Sequence, residues 1–269
     1  MSATLQEYVG QVRITSTCRQ FQINDGGGAE AVVLDLGKYF ASGYTSESDD
    51  QLIEHMQTQI RAVSGFGAGE AAECNISRST STGLITIAFD ASVDISWDHA
   101  DLQTLLGFTG SQTSASSYVA TNTPKGVWRP TEGLSEFPVD LTEWWAPNST
   151  SKVTRAPDGT ISTVQGAMLY DGIFGYRLLD EGEVKSDSST VWESFQSFFE
   201  NVIHAGYRIR AFPDRTAITS DDYREGIIVP PNASDDEPVT MGRFADWARR
   251  HIRNYNGLWG VDFRMLKAV

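Results

Sequence analysis

The sequence predicts an α+β, β-rich fold: two small units of antiparallel sheet, each flanked by one or two helices, joined by an extended loop arm. Three observations carry this reading. Several short stretches alternate apolar and polar residues, as at Val93, Ile95 and Trp97, which is the period of a half-buried strand. Helical spacing of apolar residues takes over near 48–63 and 190–204, with a shorter helix near 98–106. Residues 111–165 show neither period and are rich in Ser, Thr and Pro, so they read as the arm. The two units then span 1–110 and 166–269. At 269 residues and 40% hydrophobic, the chain can bury a sizeable core.

The first unit opens with QVRITSTCRQFQIND, where Val12, Ile14, Phe21 and Ile23 roughly alternate. Asp25-Gly26-Gly27-Gly28 supplies a turn into AEAVVLDLGKYFASGY, so the pair reads as an antiparallel hairpin. Leu52, Ile53, Met56, Ile60 and Val63 follow as the stripe of an amphipathic helix. Ser48 with Gln51 fits a capping box, Asp49 and Asp50 suit the first turn, Arg61 suits the last, and Gly65 is a natural stop. STSTGLITIAFDASVDISW reads as a second hairpin, with Ile85, Ile87 and Phe89 in one strand and Val93, Ile95 and Trp97 in the next.

The stretch SWDHADLQTLLGFTG poses the sharpest chemical question. His99 between Asp98 and Asp101, beside Trp97, has the residue types of a metal site or an acid/base cluster. Position argues for something simpler. Asp98 follows a strand and precedes Leu102, Leu105 and Leu106, where an N-cap belongs, and Asp101 falls in the first turn. Gly107 then ends a short helix, and His99 is expected to point at solvent. His55, His204 and His251 also lack the His or Cys at i+3 or i+4 that a metal site needs. No metal, cofactor or catalytic residue is expected.

Within the arm, Tyr118, Trp128, Phe137, Trp144 and Trp145 are the candidate interface residues, because aromatic rings in a loop-like segment need a surface to pack on. The second unit begins with the strand-like QGAMLYDGIFGYRLL. Thr190 and Glu193 then fit a capping box ahead of a helix lined by Trp192, Phe195, Phe199 and Ile203, and Gly206 ends it. YRIRAF alternates Tyr207, Ile209 and Ala211 against Arg208, Arg210 and Phe212. YREGIIVPP and WGVDFRMLKAV supply two more strands.

Net charge is −14, and it is unevenly spread: residues 1–190 hold 24 acidic and 11 basic side chains, while 191–269 hold 11 and 10. Such a chain is not expected to bind nucleic acid tightly, since the phosphate term is repulsive. Arg249, Arg250, His251 and Arg253 read as a surface helix or a subunit salt bridge. Cys18 and Cys74 match no metal or redox spacing and are expected to be reduced and buried. No run of 18 apolar residues is present, and MSATLQEYVGQVRITS lacks a basic start followed by an apolar core, so neither a transmembrane helix nor a signal peptide is expected. GxxxxGK[ST], GxGxxG opening a helix, GxSxG, HExxH and paired CxxC are all missing. Glu181, Glu183 and Asp235 to Glu237 read as solvated loop charge, since nothing apolar around them would raise a carboxyl pKa for acid work.

One pattern runs through residues 8–130. An N-terminal hairpin leads to Gly43-Tyr44-Thr45 and the helix Leu52 to Val63. Thr82-Gly83-Leu84-Ile85-Thr86-Ile87 follows, then Leu105-Leu106-Gly107-Phe108, Ser117-Tyr118 and Val127-Trp128-Arg129-Pro130. This order resembles a module of structural proteins in tailed-phage virions. Phe198-Phe199-Glu200, Arg210-Ala211-Phe212-Pro213-Asp214 and the Trp259 to Met265 strand carry a looser likeness to tail-associated phage proteins. The resemblance implies a virion tail protein, made in the host cytoplasm: a ring subunit of the tail tube, or of the distal tail and baseplate region. Its partners would be copies of itself in a ring such as a hexamer, and neighbouring tail proteins. DNA would pass an acidic lumen without specific binding, and no membrane insertion is implied. The alternative function is a host-surface glycan-binding module at a tail tip, using the aromatics of 118–145. A glycan or cell-wall hydrolase comes third, for sequence order offers it no converging pair of carboxylates.

Overall fold

The computed structural model describes residues 7–41, 50–63, 74–129, 140–149, 152–155, 161–164, 168–180, 190–212, 223–229 and 258–267. In chain order these hold β1 (Glu7–Ile14), β2 (Gln20–Asn24), β3 (Ala29–Val33), β4 (Gly37–Phe40), α1 (Leu52–Arg61), β5 (Asn75–Arg78), β6 (Ile85–Ala88), β7 (Asp94–Ser96), α2 (Ala100–Leu105), β8 (Ser117–Val119) and β9 (Val127–Trp128). They continue with β10 (Asp140–Ser149), β11 (Lys152–Arg155), β12 (Ile161–Val164), β13 (Met168–Asp180), α3 (Val191–Phe198), β14 (Ile209–Phe212), β15 (Arg224–Val229) and β16 (Leu258–Lys267). The class is α+β and rich in antiparallel sheet, as the sequence predicts.

The largest sheet runs β10-β13-β16-β15-β14-β1-β4, with β9 also paired to β1. Its register joins the two ends of the chain. Glu7 to Gly10 lie opposite Phe212 to Ile209, while Gln11 to Ile14 lie opposite Phe40 to Gly37. A division into units at 1–110 and 166–269 therefore cuts through one hydrogen-bonded sheet. The 111–165 arm is also more regular than expected: among the described residues it holds β8 on β6, β9 on β1, β10 on β13, and the pair β11-β12. Bulges explain why alternation failed to reveal β10, since its register slips between Asp140 and Glu143 and again between Glu143 and Ala146.

Two three-stranded sheets complete the described topology, β3-β2-β7 and β5-β6-β8. The β2–β3 hairpin turns through Asp25 to Gly28 as expected, with Gly26 and Gly28 at positive φ. The second expected hairpin does not form. β6 pairs with β5 and β8, whereas β7 leaves for β2, so 89–93 crosses between sheets instead of turning back. Both strands bury apolar residues in the shared core (Ile85 and Ile87, Ile95), and the crossing serves that burial.

The helices bury what their spacing predicts. Leu52, Ile53, Met56 and Ile60 of α1 are each no more than 1% exposed and join Phe21, Ile23, Ile87 and Leu102 in the main core. Burial of such side chains stabilises by about 1.5–3 kcal/mol each. The start of α1 differs from expectation. Its N-cap is Gln51, which makes no side-chain cap bond, and Asp50 turns away to Arg210; Ser48, Asp49 and Gly65 lie outside the described residues. Thr190 and Glu193 do form the reciprocal capping box of α3. Phe199–Ile203 continues α3 as a π-helical turn, in which the His204 amide donates to the Phe199 carbonyl (2.8 Å). This turn sits directly on β1, since a Cβ added at Gly10 would overlap the Val202 side chain.

β14 corrects the expected alternation. Ile209 to Phe212 are all buried, because the strand is internal to the sheet and covered on both faces. Arg210 survives there by stacking: its guanidinium lies 3.8 Å from the Phe40 ring centroid and 4.6 Å from that of Tyr223, and it pairs with Asp50 and Glu225.

Candidate functional site

The chemistry of SWDHAD is resolved by its contacts. His99 is the N-cap of α2 but gives no side-chain cap; its Nδ1 instead accepts from the backbone amides of Arg19 (3.2 Å) and Gln20 (3.3 Å). Asp98 is not the cap either. Its two carboxylate oxygens accept from Gln20 Nε2 and Gln22 Nε2, each at 2.9 Å. The cluster thus fastens the strand–helix junction to the start of β2, which corrects the expectation of a solvent-pointing histidine. His55 acts in the same way, with Nε2 accepting from the Asp35 amide (3.0 Å) and its ring stacked on Tyr39. Among the described residues no three His, Cys, Asp or Glu side chains converge as a metal site.

Two of the candidate interface rings have a different role. Trp128 is 0% exposed and packs within this one chain against Tyr8, Phe195 and Phe198, at centroid distances of 5.3, 5.1 and 5.9 Å. It joins β9, β1 and α3. Tyr118 is 9% exposed, and its hydroxyl donates to the Val93 carbonyl (2.7 Å) and accepts from the Ala115 amide (3.0 Å). Burial of both rings needs no second copy, so an interface role, or sugar stacking, gives way at these positions to a core role. Trp144 and Trp145 lie on β10, and Phe137 lies outside the described residues, as do Glu181, Glu183, Asp235 to Glu237 and Arg249 to Arg253.

Among the described residues one cluster of three charges is sealed. The Glu7 carboxylate pairs with Arg78 through one oxygen and with Arg129 Nε (3.3 Å) through the other, all three side chains being 0% exposed. Arg129 Nη2 also donates to the carbonyls of Thr80 (3.0 Å) and Ser81 (2.8 Å). Solvent and substrates do not reach these groups, so they tie β1, β5 and the segment after β9 together. Cys18 and Cys74 are free and buried; burial pushes the Cys74 thiol up to about 12, only partly opposed by Arg61, and raises Cys18, aided by Asp101.

Four large hydrophobics are exposed among the described residues, two of them on edge strands. Val119 is 61% exposed on β8, the edge of the β5-β6-β8 sheet. Val33 is 37% exposed on the edge strand β3, and Leu36, 58% exposed, lies just past it. Ile227 on β15 is the other large hydrophobic exposed among the described residues (36%). Sequence reasoning overlooked Val33, Leu36 and Val119, because alternation cannot tell which strand ends up without a neighbour.

No family model, curated protein or solved structure matches the chain. No helix among the described residues is long and apolar enough to cross a membrane.

Proposed function

We propose that this protein is a structural subunit of a tailed-phage virion, a tail component of the tube or of the distal tail and baseplate region that oligomerises into a ring. The single observation that carries the reading is the position of its exposed apolar side chains. Among the described residues Val33 lies on β3 and Val119 on β8, each an edge strand of a small sheet, and Leu36 lies just past β3. An edge strand with apolar side chains in water is a template for pairing with another chain, and proteins that stay monomeric blunt such edges with charge, Pro or a covering element.

Charge supports the same reading. With −14 per subunit, a ring of copies carries a strong net negative charge, which suits passage of DNA without specific binding. The role is assembly, not catalysis, and it needs no cofactor. The partners are further copies of the chain in a closed ring, for which a hexamer is the natural candidate, and the neighbouring tail proteins. The protein is made in the host cytoplasm and resides in the virion tail, without membrane insertion.

The test is light scattering with negative-stain imaging of the purified protein, beside Val119→Lys and Leu36→Lys. Rings that fall apart in these variants support the proposal. A wild-type monomer at every concentration, with edge variants indistinguishable from it, contradicts it.

A further inference from the structure

An open groove of about 510 Å³ runs over the outward face of β2 and β7 and is closed on its far side by Gln103 and the 110–113 loop. The volume is that of a small-molecule site, roughly 300–1,000 Å³. Its lining departs from the usual mostly apolar one. Antiparallel register sets Gln22 opposite Ser96 and Asn24 opposite Asp94, which puts these four side chains on the groove face, while Ile23 and Ile95 fill the core behind them.

The groove residues are held in place by hydrogen bonds that use only part of each side chain. Asn24 Oδ1 accepts from the Gly26 (2.8 Å) and Gly28 (3.3 Å) amides, leaving its Nδ2 to donate. Asp94 Oδ1 accepts from the Ser114 amide (2.6 Å), leaving Oδ2 to accept. Gln22 donates through Nε2 to Asp98 and keeps its carbonyl oxygen, and Gln103 Nε2 donates to the Gly110 carbonyl (2.6 Å). A donor and an acceptor therefore stand side by side, prepositioned, with the Ser96 hydroxyl next to them. Trp97 borders the groove, but its ring lies on the Ile95 side of the strand, packed on Phe21 and Phe108 and donating to Gln112 Oε1, so the face offered to a ligand is polar.

The lining narrows the ligand class. No Lys, Arg or His lines the groove, and Asp94 does, so an anion is repelled. One carboxylate is too few for a divalent cation. A wholly apolar ligand would strand the amides and the carboxylate without partners. A pyranose satisfies these conditions, because its vicinal hydroxyls both donate and accept. We infer that this groove binds a neutral saccharide, with Asp94 and Asn24 reading adjacent hydroxyls. A free oligosaccharide and a stretch of a surface polysaccharide offer the same chemistry.

The test is saturation-transfer NMR on the full chain with maltotriose, cellotriose and triacetylchitotriose, and with trigalacturonic acid as the anionic counterpart. A long soluble glucan, run alongside, separates a chain-end site from one that accepts internal units, and chitosan oligomers probe an ammonium opposite Asp94, whose stronger transfer than that of any neutral sugar would overturn the inference. Transfer from at least one neutral trisaccharide and none from the anionic one is expected. Affinity should fall at least ~10-fold in Asp94→Asn, which keeps the Ser114 contact, and in Ser96→Trp, which fills the groove, with the thermal midpoint of each variant showing that it is folded. Absence of transfer from every neutral sugar at millimolar concentration overturns the inference. So does transfer undiminished in Ser96→Trp, or a Ser96→Trp variant whose only change is loss of self-association, which makes the groove a subunit contact.

Discussion

The guanidinium of Arg210 lies 3.8 Å from the centre of the Phe40 ring, joining a strand from the last third of the chain to one from the first. Asp50 and Glu225 hold its charge from two further segments. A planar, delocalised cation stacks and forks; an ammonium does neither as well. Arg210→Lys, which keeps the charge, is therefore expected to cost about 1–2 kcal/mol. Urea unfolding with an unchanged m-value checks this, and a loss below a few tenths of a kcal/mol contradicts the stacking role.

The Glu7 cluster makes a sharper demand. Glu7→Gln removes the negative charge between Arg78 and Arg129 while preserving shape, and is expected to cost about 3–5 kcal/mol, because buried cations lose their counter-charge. Chemical denaturation measures it directly.

Gly10 and Val202 form a testable pair, since any Cβ at position 10 would overlap the Val202 side chain. Gly10→Ala should destabilise by about 1–3 kcal/mol through overpacking. Adding Val202→Ala opens the space, so the double variant should lose clearly less than the sum of the two single losses. Strict additivity would show that the π-helical turn does not rest on β1 as described.

Cys74 links burial to pH. Its thiol titrates near 9.0 ordinarily and is pushed up to about 12 by burial. The folded state thus holds the proton more tightly than the unfolded one, so this contribution is intact below about pH 9 and is lost as pH rises toward 12. A thermal midpoint that falls between pH 9 and 11, with a shallower fall in Cys74→Ala, is the expected outcome. Thiol reagents at pH 7 should leave Cys74 unlabelled until the protein unfolds.

Local signals in the sequence proved reliable where the physics is local. The Thr190–Glu193 capping box, the α1 stripe and the Asp25 to Gly28 turn all depend on residues within one or two turns of chain. Pairing across the chain was not legible. Nothing in EYVG announces that Glu7 to Gly10 will sit beside Ile209 to Phe212, and this sheet dissolves the expected unit boundary. Asp98 and His99 show the same limit at the level of a site. Their spacing fits a helix start, yet their side chains turn to β2 because Gln20, Gln22 and the Arg19–Gln20 amides are brought there by tertiary packing. The groove residues Asn24 and Asp94 lie far apart in sequence and meet only through the register of β2 on β7.

Assembly is the central claim, and the mass of the purified chain tests it most directly. Light scattering across a range of concentrations, with negative-stain images of the same fractions, should give closed rings of uniform diameter that dissociate when Val119 is replaced by Lys. A single species at 29.6 kDa throughout, unchanged by that substitution, would contradict it.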